Sequence, residues 1–224
     1  GSLVGVMVHE MYHSWFQNVI ATNESLYEWM DEGFTSFASS ETMAHLFDRD
    51  GTPHSGSYRS YQFIAESGDE EPMTTHADHY NVNRAYSVAA YSKGAVFLNQ
   101  LEYIIGRKDF RNGMLRYHDE WKLKHPTDLD FVEIMEKESG LILDWYYEYF
   151  VQTTKSIDYG IKSVVGDNNK TKVLMERIDL MPMPLDVVVE YTDGTSELFY
   201  IPLRMMRGEK PSEDGMTRTV LEDW

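Results

Sequence analysis

Apolar positions recur along the chain with two different periods. Leu3, Val6, Met7, Trp15 and Val19 fall at helical spacings, with no Pro and no interior Gly after Gly5, and predict a helix over 3–21. The polar run Thr22-Asn23-Glu24-Ser25 breaks it. Asp31 then reads as the cap of a second helix reaching about Phe47, with Phe34, Phe37, Ala38 and Met43 among its buried candidates. Residues 48–83 are rich in Gly, Ser, Asp, His and Pro and predict a long loop with one short helix near 57–66. A third helical stretch, 84–106, buries Val88, Val96, Phe97, Leu101, Ile104 and Ile105 and closes on Gly106 as a C-cap. Helices at 108–123, 128–138 (capped by Thr127 or Asp128) and 142–154 follow. The period then shortens. Residues 157–165, 171–178, 185–192 and 196–203 read as strands, with Thr192-Asp193-Gly194-Thr195 as a hairpin turn. The expected organisation is a helical part over 1–155, a small β unit over 157–207 and a tail over 208–224.

Composition narrows the chemistry. The chain has 224 residues, 42% of them hydrophobic, which is enough for a packed core. No apolar run approaches the ~18–20 residues of a membrane-spanning helix. With 20 Lys+Arg against 37 Asp+Glu, the net charge of −17 repels phosphate backbones and sets nucleic acid aside as a partner. Cysteine is absent, so disulfides, thiolate metal sites and a Cys nucleophile are excluded. Any metal must be held by His, Asp, Glu or water. No charged leader opens the chain, and 208–224 closes no obvious unit, so the expectation is a piece of a longer protein whose N-terminal part is a missing partner. Its location stays open, with the cell envelope or the exterior as the leaning.

One motif carries chemistry. Residues 9–13 are His-Glu-Met-Tyr-His. On a helix, positions i and i+4 share one face, so His9 and His13 can offer two imidazole nitrogens to one ion. Glu10 sits ~100° around the axis, able to border that ion without ligating it, as a base for its water does. The pattern is short and also arises by chance in helices with two unrelated histidines. A catalytic zinc takes three protein ligands and leaves one position for water. After eighteen intervening residues His13 is followed by Glu32, within Trp29-Met30-Asp31-Glu32-Gly33-Phe34.

His-Glu-x-x-His, eighteen residues, then Glu within Trp-x-x-Glu-Gly-Phe resembles the signature of the aminopeptidase N family of zinc metallopeptidases. These are gluzincins and include the leukotriene hydrolase branch. The flank His13-Ser14-Trp15, with Asn18, is similar as well, and Tyr91-Ser92-Lys93-Gly94 resembles the family's Tyr-x-Lys-Gly. The resemblance implies a mainly α fold: the helical lobe of a thermolysin-like zinc peptidase catalytic domain followed by a small β-sandwich-like unit. It implies one zinc ion held by His9, His13 and Glu32, with Glu10 as general base and Tyr91 as the oxyanion donor. Tyr86 matches a second tyrosine that lines the pocket in some members. The implied reaction is peptide hydrolysis that removes N-terminal amino acids.

There are departures. Tyr12 stands where small residues are usual, and Gln17 where Gly is frequent. The family's Gly-x-Met-Glu-Asn motif, which binds the substrate amine, does not occur. A thermolysin-like endopeptidase is a second reading, disfavoured because its spacing is typically nineteen and it lacks Tyr-x-Lys-Gly. A peptidase-derived scaffold that no longer cuts is a third, although every chemical position is filled. His76, Asp78 and His79 make a weak second cation candidate against the simpler expectation of a polar loop, or of a cleft lining. Asp69-Glu70-Glu71 reads as a solvated charge run, Met181-Pro182-Met183-Pro184 as a strand connection, and Lys93 is assigned no chemistry.

Overall fold

The computed structural model describes residues 2–48, 51–168, 170–212 and 216–221. The predicted 48–83 loop and the 208–224 tail therefore lie in part outside the described residues, at 49–50, 213–215 and 222–224. Among the described residues no helix is long and apolar enough to cross a membrane.

The first helix, α1 (Leu3–Tyr12), is shorter than its apolar pattern predicts. Gln17 takes φ = 101°, a conformation no helix interior allows, and the chain turns away. Its backbone then pairs with the segment after a later helix, Leu123 N to Val19 O (2.7 Å) and Ala21 N to Lys124 O (3.1 Å). The expected burial of α1 also differs: Leu3, Val6, Met7 and Trp15 are exposed, and no residue of α1 is buried.

A π-helical turn, Trp29–Gly33, runs into α2 (Phe34–Leu46). Asp31 is therefore not a cap. It lies inside the helical turn, buried. The short helix predicted near 57–66 is α3 (Ser55–Ser67). The stretch predicted over 84–106 forms α4 (Asn83–Ser87), a second π turn (Val88–Lys93) and α5 (Gly94–Ile105). Gly106 ends it at φ = 82°, where a side chain would be strained. Next come α6 (Arg107–Trp121), α7 (Asp128–Ser139) and α8 (Asp144–Val151). Thr127 caps α7 in a reciprocal box with Asp130.

α5 is the spine. Val96, Phe97, Leu98, Leu101, Ile104 and Ile105 are all essentially inaccessible to solvent. Phe97 packs edge-on to Trp29 (centroids 5.0 Å) and stacks on Tyr146 of α8 (4.9 Å), whose hydroxyl donates to the Phe97 carbonyl at 2.8 Å. Phe34 meets Phe131 of α7 at 4.8 Å. One aromatic core thus joins the first π turn, α2, α5, α7 and α8, and each large ring buried in it contributes about 2–3 kcal/mol of transfer free energy.

The strands are β1 (Tyr159–Asp167), β2 (Lys170–Arg177), β3 (Leu185–Glu190), β4 (Ser196–Ile201) and β5 (Thr219–Val220). β1 and β2 pair antiparallel as a separate two-stranded sheet. β3 and β4 pair antiparallel from Leu185↔Ile201 to Glu190↔Ser196, and β5 adds parallel to β4. The Met-Pro run between β2 and β3 is a connection, as expected, and it buries Met181 and Met183 against the helical core.

Candidate metal and active site

His9 and His13 stand one turn apart on α1, with ring centroids 5.0 Å apart and planes nearly perpendicular. Both reach the same carboxylate oxygen. His9 Nε2 is 3.1 Å and His13 Nε2 3.5 Å from Glu32 Oε2. One donor atom from each of the three residues lies within 4.8 Å of the others, and this is the only such group of three among the described residues. A tetrahedral ion with ~2.0–2.1 Å bonds puts its donors ~3.3 Å apart, so the two His–Glu separations suit one zinc-sized ion. The other oxygen of Glu32 accepts from the Tyr91 hydroxyl at 2.7 Å, and the Tyr91 ring stacks on His9 with centroids 5.9 Å apart. Four of the sequence candidates therefore converge. Glu10 sits beside them, exposed, with no hydrogen bond or ion pair among the described residues.

Backbone packing explains why Glu32 and Tyr91 meet across 59 residues. The two π turns cross at Gly33 and Gly94. A Cβ on Gly33 would lie 2.7 Å from the Gly94 Cα and 3.0 Å from the Ala90 carbonyl oxygen. A Cβ on Gly94 would lie 2.8 Å from the Gly33 Cα. Only glycine permits that approach. The glycines of the two motifs thus set the distance between the residues that precede them.

Electrostatics follow from burial. The Glu32 carboxylate is half-buried, which opposes its ionisation. The hydrogen bonds from His9 and Tyr91, with the adjoining imidazole charge, outweigh that and hold its pKa below the ordinary value. Burial first, then the bond to Glu32, pushes the Tyr91 phenol up, so it remains a donor throughout the neutral range. Asp31 accepts from or shares a proton with His13 Nδ1 at 2.7 Å. Burial drives its pKa to about 6, with His13 pulling it down and Glu32 adding to the rise. Such a carboxylate fixes the ring so that Nε2 faces Glu32. Sequence reasoning missed this role, because a capping Asp and an Asp behind a ligand look alike in one chain.

Tyr86 packs its ring edge-on to Tyr80 (5.7 Å). Burial, then the charges of Glu28, Glu32, Asp31 and Glu24, raises its pKa, which puts it in the field of the site without a direct bond to it. Glu28 is itself 1% exposed. One of its oxygens accepts from the Tyr80 hydroxyl at 2.8 Å; the other has no partner among the described residues. Burial pushes its pKa up to about 7.

Comparisons with known proteins show the family. The model of the peptidase family M1 domain matches residues 2–150, about two thirds of the chain. The chain belongs to peptidase family M1. This M1 chain is 30% identical to aminopeptidase B of Mus musculus over 174 residues, covering 74% of itself and 24% of that protein. It spans about a quarter of the length of that curated relative. Its fold is similar to that of Legionella pneumophila aminopeptidase A in complex with aspartic acid (TM-score 0.62, 17% identity, 88% of this chain and 23% of that one). A mutant M1 zinc metallopeptidase from Deinococcus radiodurans bound to a Tyr-Ser-Ala substrate is similar too (TM-score 0.54, 17% identity, 66% and 32%). The expected architecture, a helical lobe followed by a small β unit, is the one found.

The departures of this M1 chain from the expected pattern have local explanations. Tyr12 turns its hydroxyl onto Thr42 Oγ1 of α2 at 2.6 Å and tilts against Trp15, so its bulk ties α1 to α2. Gln17 holds the positive φ that glycine adopts without strain, and its side chain donates to Glu24 at 3.0 Å. One expectation is corrected. Glu70 is not a solvated charge: it pairs at 2.7 Å with Lys93, whose side chain is 1% exposed and also donates to the Thr153 carbonyl. Lys93 thereby joins the end of the Tyr91 turn to the loop before it and to the residues after α8. His76 and His79 lie with tilted rings 4.8 Å apart in a short 3-10 turn, and no group of three ligands forms there among the described residues, as the simpler expectation of a polar loop has it.

Proposed function

We propose that this chain carries the catalytic residues of a zinc-dependent peptidase that removes N-terminal amino acids. The observation that carries the reading is the convergence of His9, His13 and Glu32 donor atoms within 4.8 Å, with the Tyr91 hydroxyl on the same carboxylate. Two imidazoles and one carboxylate are the donor set of a catalytic zinc with an open position. Zinc held there supplies Lewis acidity, polarising a carbonyl and lowering the pKa of a water towards ~7. Glu10, unpaired beside His9, takes the proton of the attacking water and returns it to the departing amine. Tyr91 keeps its proton and moves its hydrogen bond from Glu32 to the oxyanion, a contact worth about 3–4 kcal/mol in other hydrolases. Asp31 holds the His13 ring while this happens. Selection for the N-terminal end is supported by the aminopeptidases among the relatives.

Glu10→Gln in the full-length protein tests the reading. One equivalent of zinc is expected by elemental analysis, with hydrolysis of an aminoacyl anilide reduced about 10²–10⁴-fold. Unchanged turnover would remove Glu10 as the base. Absence of stoichiometric zinc from the wild-type protein would favour a scaffold.

A further inference from the structure

A groove of about 510 Å³ opens between α3 and the stretch that joins α4 to the Tyr91 turn. Gly56, Arg59, Ser60 and Phe63 line it from α3. Their spacing of i, i+3, i+4 and i+7 puts them on one face of that helix. Arg84 and Val88 line it from the opposite side. Gly56 and Ser60 are small and leave the space open, while Val88 closes the floor as a buried apolar surface. The Arg84 guanidinium lies over the Phe63 ring, 4.9 Å from its centroid, which restrains it without using its hydrogen-bond donors.

Neither Arg59 nor Arg84 has a carboxylate partner among the described residues. Among the described residues Arg107, Arg116 and Arg218 pair with acids, whereas these two guanidiniums face the groove. Two guanidiniums with free forks on one groove match a carboxylate, which accepts paired N–H bonds. The groove volume is in the range of small-molecule sites. Position matters as well. Arg84 precedes Tyr91 by seven residues in one run of helix, about 10 Å along the axis. An extended peptide advances about 3.3–3.6 Å per residue, so about three residues cover that span.

We propose that Arg59 and Arg84 form a subsite for the C-terminal carboxylate of short peptide substrates, with Phe63 and Val88 receiving the last side chain. The inference rests on the peptidase reading for its substrate, and on the groove alone for its ligand chemistry. It makes short peptides with a free C-terminus the preferred class.

The test compares three peptides on the zinc-loaded full-length protein: Ala-Ala-Phe as free acid, its C-terminal amide, and Ala-Ala-Glu amide. The free acid is expected to show a kcat/KM about tenfold above the amide, carried by KM. In Arg84→Ala and Arg59→Ala the ratio of acid to amide should fall to within about twofold, and Arg84→Lys should keep part of it. A wild-type ratio near one, a ratio unmoved by either substitution, or a glutamate amide as good as the free acid would each overturn the assignment. Calorimetry with N-acetyl-Ala-Phe, which has no free amine to be removed, separates the two readings. Should no peptide be cleaved, the peptidase reading falls. The subsite then stands if this ligand binds and weakens about tenfold in Arg84→Ala, and falls if it does not.

Discussion

The site is built from two halves held in different ways. Glu32 and Tyr91 sit on π turns whose neighbours Trp29, Met30, Val88, Ala89 and Ala90 are all buried, and the turns touch through Gly33 and Gly94. His9 and His13 sit on α1, which has no buried residue and reaches the rest through polar contacts: His13 to Asp31, His9 to Glu32, Tyr12 to Thr42. Close packing places the first pair, because a dense interior leaves few alternatives. Directional bonds place the second. The carboxylate and the phenol are therefore preorganised by the fold, and the imidazoles are oriented by side chains that can be removed one at a time.

The largest effect should come from the packed half. Gly94→Ala forces a Cβ against the Gly33 Cα and the Trp29 carbonyl oxygen, both backbone atoms that cannot swing aside. A loss of about 3 kcal/mol or more is expected in chemical unfolding, together with reduced turnover as Tyr91 draws away from Glu32. A variant as stable as the wild type would show that the crossing tolerates separation.

A smaller effect concerns pH. Glu28 has a folded-state pKa of about 7 against an ordinary 4.5, raised by burial. Below about pH 4.5 it is protonated in both states and its neutral form fits the core. As pH rises towards 7 the unfolded chain gives up the proton and the folded chain keeps it, so stability falls. Urea midpoints should show Glu28→Gln gaining on the wild type by about 2 kcal/mol between pH 4.5 and 7.5. Parallel pH profiles would place the titration elsewhere.

The smallest effect should come from the half that is held by bonds. Tyr12→Phe removes one hydrogen bond to Thr42 and leaves the ring against Trp15. It should cost about 1 kcal/mol in unfolding. Competition with a chelator should show a measurable loss of zinc affinity. A cost as large as that of Gly94→Ala would erase the distinction between the halves.

Legibility in the sequence follows the same division. The period of apolar residues located α6, α7, the hairpin of β3 and β4 and the end of α5 to within a few residues, because these elements bury a regular face or stripe, but it did not divide the run before α5 into α4 and a π turn. It misjudged α1, where the apolar residues recur at helical spacing but lie on the surface, and where the helix stops at Tyr12 and the positive φ at Gln17 forbids its continuation to residue 21. The grouping of His9, His13 and Glu32 was legible because residues on one helix and on the helical turn that follows it in the chain are close in sequence. Glu70 was misread because its partner Lys93 is 23 residues away, and only packing turns a surface-looking acid into half of a buried pair.

By itself, the sequence determined the chemical inventory: no thiols, two imidazoles one turn apart, a carboxylate after eighteen intervening residues, and a Tyr-x-Lys-Gly turn. Those are properties of residue type and spacing, which covalent geometry converts directly into helix faces. The tertiary structure decided which of them meet. It brought Tyr91 to Glu32 through a contact between two glycines, set Asp31 behind His13, and buried Lys93 against Glu70. The physical reason is that these are contacts between segments far apart in the chain, fixed by the shape of a shared core that no local pattern encodes.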